Sequence, residues 1–174
     1  MTEAWTHQLE KWHEFYLLIG TAGVTLTGLL FVVVSLGPRL TSERHGDSTR
    51  AFLSPNAVFF TTTLVVSAAL MVPSLPANVA GALLCAGAVG SLGYLVYTRA
   101  HAHWRRNKLP FLDWIWFIGL PFAAYGLLLL SGIGVLLQAP LALHGVAVAL
   151  LLLLVVGIRN AWDMVIWVSQ KERK

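Results

Sequence analysis

The side chains best placed to do chemistry are hydroxyls and carboxamides set inside otherwise apolar stretches. Thr21, Thr25, Gly28 and Ser35 fall on one face of a helix. Asn56, Thr63 and Ser67 fall near one face of another, with Thr61 and Thr62 beside them. Oxygens arranged this way can replace part of a permeant's hydration shell and line a narrow passive path. A Ser or Thr within a helix has a competing use, which is to donate to the carbonyl four residues earlier. No Asp, Glu, Lys or Arg accompanies the stripe, although intramembrane charge is what driven pumps rely on. The stripe therefore favours passive permeation over driven transport, and hydroxyls satisfied by their own helix over both.

The densest polar cluster beside an apolar stretch is Arg159, Asn160 and Asp163. Arg159 and Asp163 are four residues apart and meet on one helical face. They can form a cytoplasmic gate, a lipid-headgroup site or a docking point. The plainer reading, a snorkelling arginine paired with an interfacial aspartate, is favoured. Asp113, just before Trp114, is placed to cap a helix N-terminus. A lipid-directed acid at Asp113, with Arg105 or Arg106 holding phosphate, lacks a supporting motif. His13 and His144 at one membrane face, or His101 and His103 in a loop, lack the reinforcing ligands of a haem or metal site. The single cysteine, Cys85, excludes an internal disulfide and reads as a small buried hydrophobe. P-loop, dinucleotide, zinc-protease and serine-hydrolase signatures are missing. The expectation is a non-enzymatic chain with no catalytic residue, metal or cofactor.

These residues must be positioned by helices in lipid. Residues 15–38, 51–98 and 114–158 contain no charged side chain. A hydrocarbon core is crossed by about 20 apolar helical residues. The first window fits one crossing, and each of the others fits two joined by a turn. Only 11% of residues are charged and the mean hydropathy is +0.71, against about a quarter charged in ordinary globular domains. The predicted architecture is a single all-α polytopic domain with five transmembrane helices over 15–36, 55–72, 79–98, 113–133 and 141–162. Gly37-Pro38 is the expected stop of the first helix. Ser54 and Pro55 are expected to open the second as N-cap and first helical residue. Pro73 to Asn78 reads as a turn, with Asn78 capping the third helix. Ser131 to Gly134 and Gln138 to Pro140 bracket the next turn. Pro121 predicts a kink in the fourth helix.

Eleven of the 12 Lys and Arg residues fall after helices one, three and five, and only Lys11 falls on the other side. The positive-inside rule then predicts an outside N-terminus and a cytoplasmic C-terminus. The acidic lead-in, with Glu3, Glu10 and Glu14, does not resemble a cleavable signal. Trp5, Leu9, Trp12 and Tyr16 share one face of that segment, which predicts a short amphipathic helix, continuous with the first span or bent from it. The tryptophans near span ends are expected to anchor at the headgroups.

Small residues recur at packing distances: Gly20, Gly23 and Thr27; Ala82, Ala86, Gly90 and Gly93; Gly119, Ala123 and Gly126. In lipid such ridges permit the close backbone approach that drives helix association. Intrachain packing is the first expectation for each. The resulting expectation is a multi-pass plasma-membrane (inner-membrane) module that associates with itself or another membrane protein. The alternative is a passive ion or small-solute pore lined by Thr21, Thr25, Asn56, Thr63 and Ser67. The net charge of +4 points to anionic headgroups on the cytoplasmic side rather than to nucleic acid.

Overall fold

A computed structural model describes residues 2–40, 46–101 and 114–171, and all regular structure among them is helical. Five α-helices follow in order: α1 (Thr2–Leu40), α2 (Gly46–Leu70), α3 (Ala77–His101), α4 (Leu120–Leu136) and α5 (Ala142–Lys171). A π-helical turn, Ile115–Gly119, leads into α4. Among the described residues four spans are long and apolar enough to cross a membrane: Ala4–Val32, Ala77–Thr98, Ile115–Leu136 and Ala142–Asp163. The apolar part of α2, Pro55–Leu70, falls short of that length.

Two helix ends differ from expectation for one shared reason. A proline removes one backbone donor and crowds the carbonyl four residues back, but neighbouring residues can still bond around it. Thus α1 continues through Gly37-Pro38 to Leu40, and Pro55 lies inside α2 rather than at its start. The amphipathic lead-in is the first part of α1, not a separate element. Asn78 sits in the first turn of α3, whose opening bond runs from the Ala80 N–H to the Pro76 carbonyl at 2.9 Å. Ser131 to Gly134 belong to α4, and the α4–α5 turn begins only after Leu136. Just before Pro121, where a kink is expected, the chain carries the π turn. There the Leu120 N–H reaches the Ile115 carbonyl, five residues back, which accommodates the missing proline donor. The Asp113 cap and the loop residues His45, His103, Arg105 and Arg106 lie outside the described residues.

In space the neighbour order is α1–α2–α5–α4–α3. α5 is the central helix: 56% of its spanning window is buried, against 17% for α1 and 28% for α3. The core is built from Phe59 and Phe60 of α2, Tyr125 and Leu128 of α4, and Val146, Leu150 and Leu153 of α5. Glycines set the close approaches. A Cβ at Gly23 of α1 would lie 3.0 Å from the Phe60 carbonyl oxygen of α2. One at Gly132 of α4 would lie 2.8 Å from the Cys85 sulfur of α3. Gly145 of α5 faces Ser131, and Gly157 of α5 faces the Phe60 ring. Backbone contact at these points adds dispersion energy to the helix packing.

Candidate functional site

The two halves of the predicted polar stripe point in different directions. Thr21 and Thr25 are exposed on α1, and each donates to the carbonyl four residues earlier, at 2.7 Å to Leu17 and 2.8 Å to Thr21. Thr27 and Ser35 do the same with Gly23 and Phe31. Asn56, Thr63 and Ser67 are buried on α2 among packed helices. Thr63 donates to Phe59 at 2.9 Å, and the Ser67 side chain packs against Gly20. Thr21, Thr25 and Ser35 thus face away from the bundle while Asn56, Thr63 and Ser67 face into it, so the two sets do not line a common path. The sequence pattern missed this because lipid-facing and protein-facing surfaces are both apolar, and hydropathy does not mark which side is which.

α2 and α3 follow one another in the chain, yet they stand apart across a groove of about 390 Å³. Its walls are mainly small or aliphatic, including Ala69 on α2 and Leu83, Leu84 and Gly87 on α3. Three hydroxyls interrupt this surface: Thr61 and Thr62 on α2, and Ser91 on α3. Behind them stands Tyr125 of α4, fully buried. Its hydroxyl lies 3.1 Å from that of Thr62, and Ser91 approaches the same phenol from α3. Three helices therefore converge on one polar point. Tyr125 was not singled out from sequence. The available signal was a phenol in the middle of an uncharged window, where its O–H must find a partner.

On α5 the predicted polar cluster is assembled. Arg159 Nε donates to both carboxylate oxygens of Asp163 at 3.1 Å. Its guanidinium lies 5.2 Å from the Trp116 ring centroid, a cation–π contact the sequence reading missed. The pair remains partly exposed, whereas the adjacent Asn160 is buried.

No protein-family model, curated protein or solved structure matches the chain.

At the end of the bundle that holds the α2–α3 and α4–α5 turns, aromatic residues bind the helices together. Trp5 Nε1 donates to the Leu75 carbonyl in the α2–α3 turn at 2.8 Å. Tyr16, on the apolar face of the lead-in, is fully buried, with its ring beside Phe15 and Trp12. The His144 ring meets Trp12 edge-on, 4.8 Å between centroids.

The small-residue ridges divide sharply. Gly20 and Gly23 are consumed in the α1–α2 contact. Ala82, Ala86, Gly90 and Gly93 lie exposed on the side of α3 away from α4, and a Cβ at Gly90 or Gly93 would meet no atom within 4 Å. The close contact of α3 with α4 runs instead through Gly81 and Gly132. Gly126 of α4 is similarly open, so that ridge is not an intrachain seam either.

Proposed function

We propose that this chain is a small non-enzymatic multi-pass membrane module that associates laterally, with a second copy or another membrane protein, through the outer face of α3. The carrying observation is the exposed ridge Ala82, Ala86, Gly90 and Gly93, left open while other glycines make close contacts inside the bundle. In lipid, a smooth face of this kind gains most from a second helix that can approach its backbone.

In this reading all five helices cross the plasma membrane, with the N-terminus outside and the C-terminus in the cytoplasm. The apolar part of α2 is short, but α2 packs against α1 at Gly20 and Gly23 and against α5 at Gly157. It is thereby held at the depth of two longer spans. The cationic segments face anionic headgroups on the cytoplasmic side.

Energy transfer between donor- and acceptor-labelled copies in liposomes tests self-association. The expected result is transfer that saturates with protein density and falls about tenfold in apparent affinity for Gly90→Leu, about 1.4 kcal/mol. Unlabelled protein should compete. Transfer that matches random mixing, together with failure to retain any membrane protein in native-membrane pull-downs sensitive to Gly90→Leu, contradicts the proposal. The same liposomes report solute flux. Flux abolished by Thr63→Leu would favour the pore reading in its place.

A further inference from the structure

We propose that the groove between α2 and α3 is a binding site for a neutral, membrane-soluble molecule with an apolar body and one alcohol or carbonyl oxygen, held by the Thr62–Tyr125–Ser91 hydroxyl cluster. This inference stands on a different surface from the lateral-association reading and does not depend on it.

The volume, about 390 Å³, lies within the range of small-molecule sites, which pair apolar walls with a few convergent polar groups. Among the described residues the groove has no charged lining residue, so an ionic ligand would gain no counter-charge there for its desolvation. Thr62 lies at the middle of the apolar part of α2, and Tyr125 at the middle of the Ile115–Leu136 span. The cluster is therefore near mid-membrane in the five-crossing arrangement. A phospholipid places only hydrocarbon at that depth and offers nothing to a hydroxyl. A neutral alcohol or ketone can sink there whole.

Donor counting points the same way. Thr62, Tyr125 and Ser91 carry three O–H groups. Links through the phenol, Thr62 to Tyr125 and Ser91 to Tyr125, use at most two. One donor is left, together with free oxygen lone pairs. Thr62 and Ser91 are only half-buried and form part of the groove wall, so a ligand oxygen can reach them. A donor returned to its own helix carbonyl is the competing use, and it would make the hydroxyls indifferent to what fills the groove.

The test uses the full chain in phosphatidylcholine nanodiscs and a diazirine-bearing isoprenoid alcohol of the farnesol type. A matched isoprenoid hydrocarbon lacking the hydroxyl and a diazirine phosphatidylcholine serve as comparators. The alcohol is expected to label α2 and α3 peptides around Thr62 and Gly87 saturably, and competition by unlabelled alcohol should remove the label. Gly87→Leu fills open space, since a Cβ there meets nothing within 4 Å. It should abolish saturable labelling while leaving thermal stability unchanged. Thr62→Val with Ser91→Ala should weaken the alcohol about tenfold and leave the hydrocarbon's labelling as it was. Equal, non-saturable labelling by all three probes would overturn the proposal and assign the groove to bulk acyl chains. Saturable labelling that is lost only when copies associate, and restored by Gly90→Leu, would also overturn it, because a second copy would then be the occupant.

Discussion

Replacing Gly157 with leucine places a side chain where the Phe60 ring already sits. Both are in the packed α2–α5 contact, so neither can move without opening the core. Overpacking of this kind costs about 1–3 kcal/mol, and reversible unfolding in mixed micelles should show that loss. Gly87→Leu is the control, because its surroundings are open. Equal behaviour of the two variants would refute the packing described for α5. Tyr125→Phe removes the hydroxyl contacts with Thr62 and Ser91. Polar contacts between membrane helices average about 0.6 kcal/mol in double-mutant cycles. A cycle between Tyr125→Phe and Thr62→Val should return coupling of that order, and coupling indistinguishable from zero would remove the cluster as an interaction. The Arg159–Asp163 pair is different. It is partly solvated, and exposed pairs contribute under about 1 kcal/mol, so Asp163→Asn should leave stability almost unchanged.

Among the elements, helix existence was readable because charge cannot be scattered through a span without cost. The uncharged windows held α1 and the α2–α3 and α4–α5 pairs. Helix ends were less readable. Pro38 and Pro55 read as boundaries, yet each is accommodated within a helix. Facing was least readable of all. In water, an apolar stripe marks the buried side of a helix. In lipid, the outward face is apolar too, so α3 could hide its core side at Gly81 while displaying the more regular ridge through Gly90 outside. The Arg159–Asp163 pair was legible because spacing alone brings it together. The Thr62–Tyr125 contact was not, because 63 residues separate its partners. The turns carry their own prediction. Gln138 adopts φ 55° between α4 and α5, a left-handed conformation that costs a non-glycine residue about 1–2 kcal/mol. Gln138→Gly relieves that strain but loses more chain entropy on folding. The expected net gain is up to about 1 kcal/mol in the same unfolding assay, and a loss of stability would show that the glutamine side chain itself supports the turn.

For the whole molecule, helix count and orientation are one question, because five crossings place the two ends on opposite sides of the membrane. The positively charged loops and the α2 packing arrangement both depend on the answer, and so does the mid-membrane depth assigned to the groove. Single cysteines at Thr6 and Ser169, introduced one at a time with Cys85→Ala, can be probed with a membrane-impermeant maleimide on intact cells and again after permeabilisation. The account predicts that the cysteine at position 6 reacts in intact cells and the cysteine at position 169 only after permeabilisation. Reaction of both from the same side would mean an even number of crossings and would contradict it.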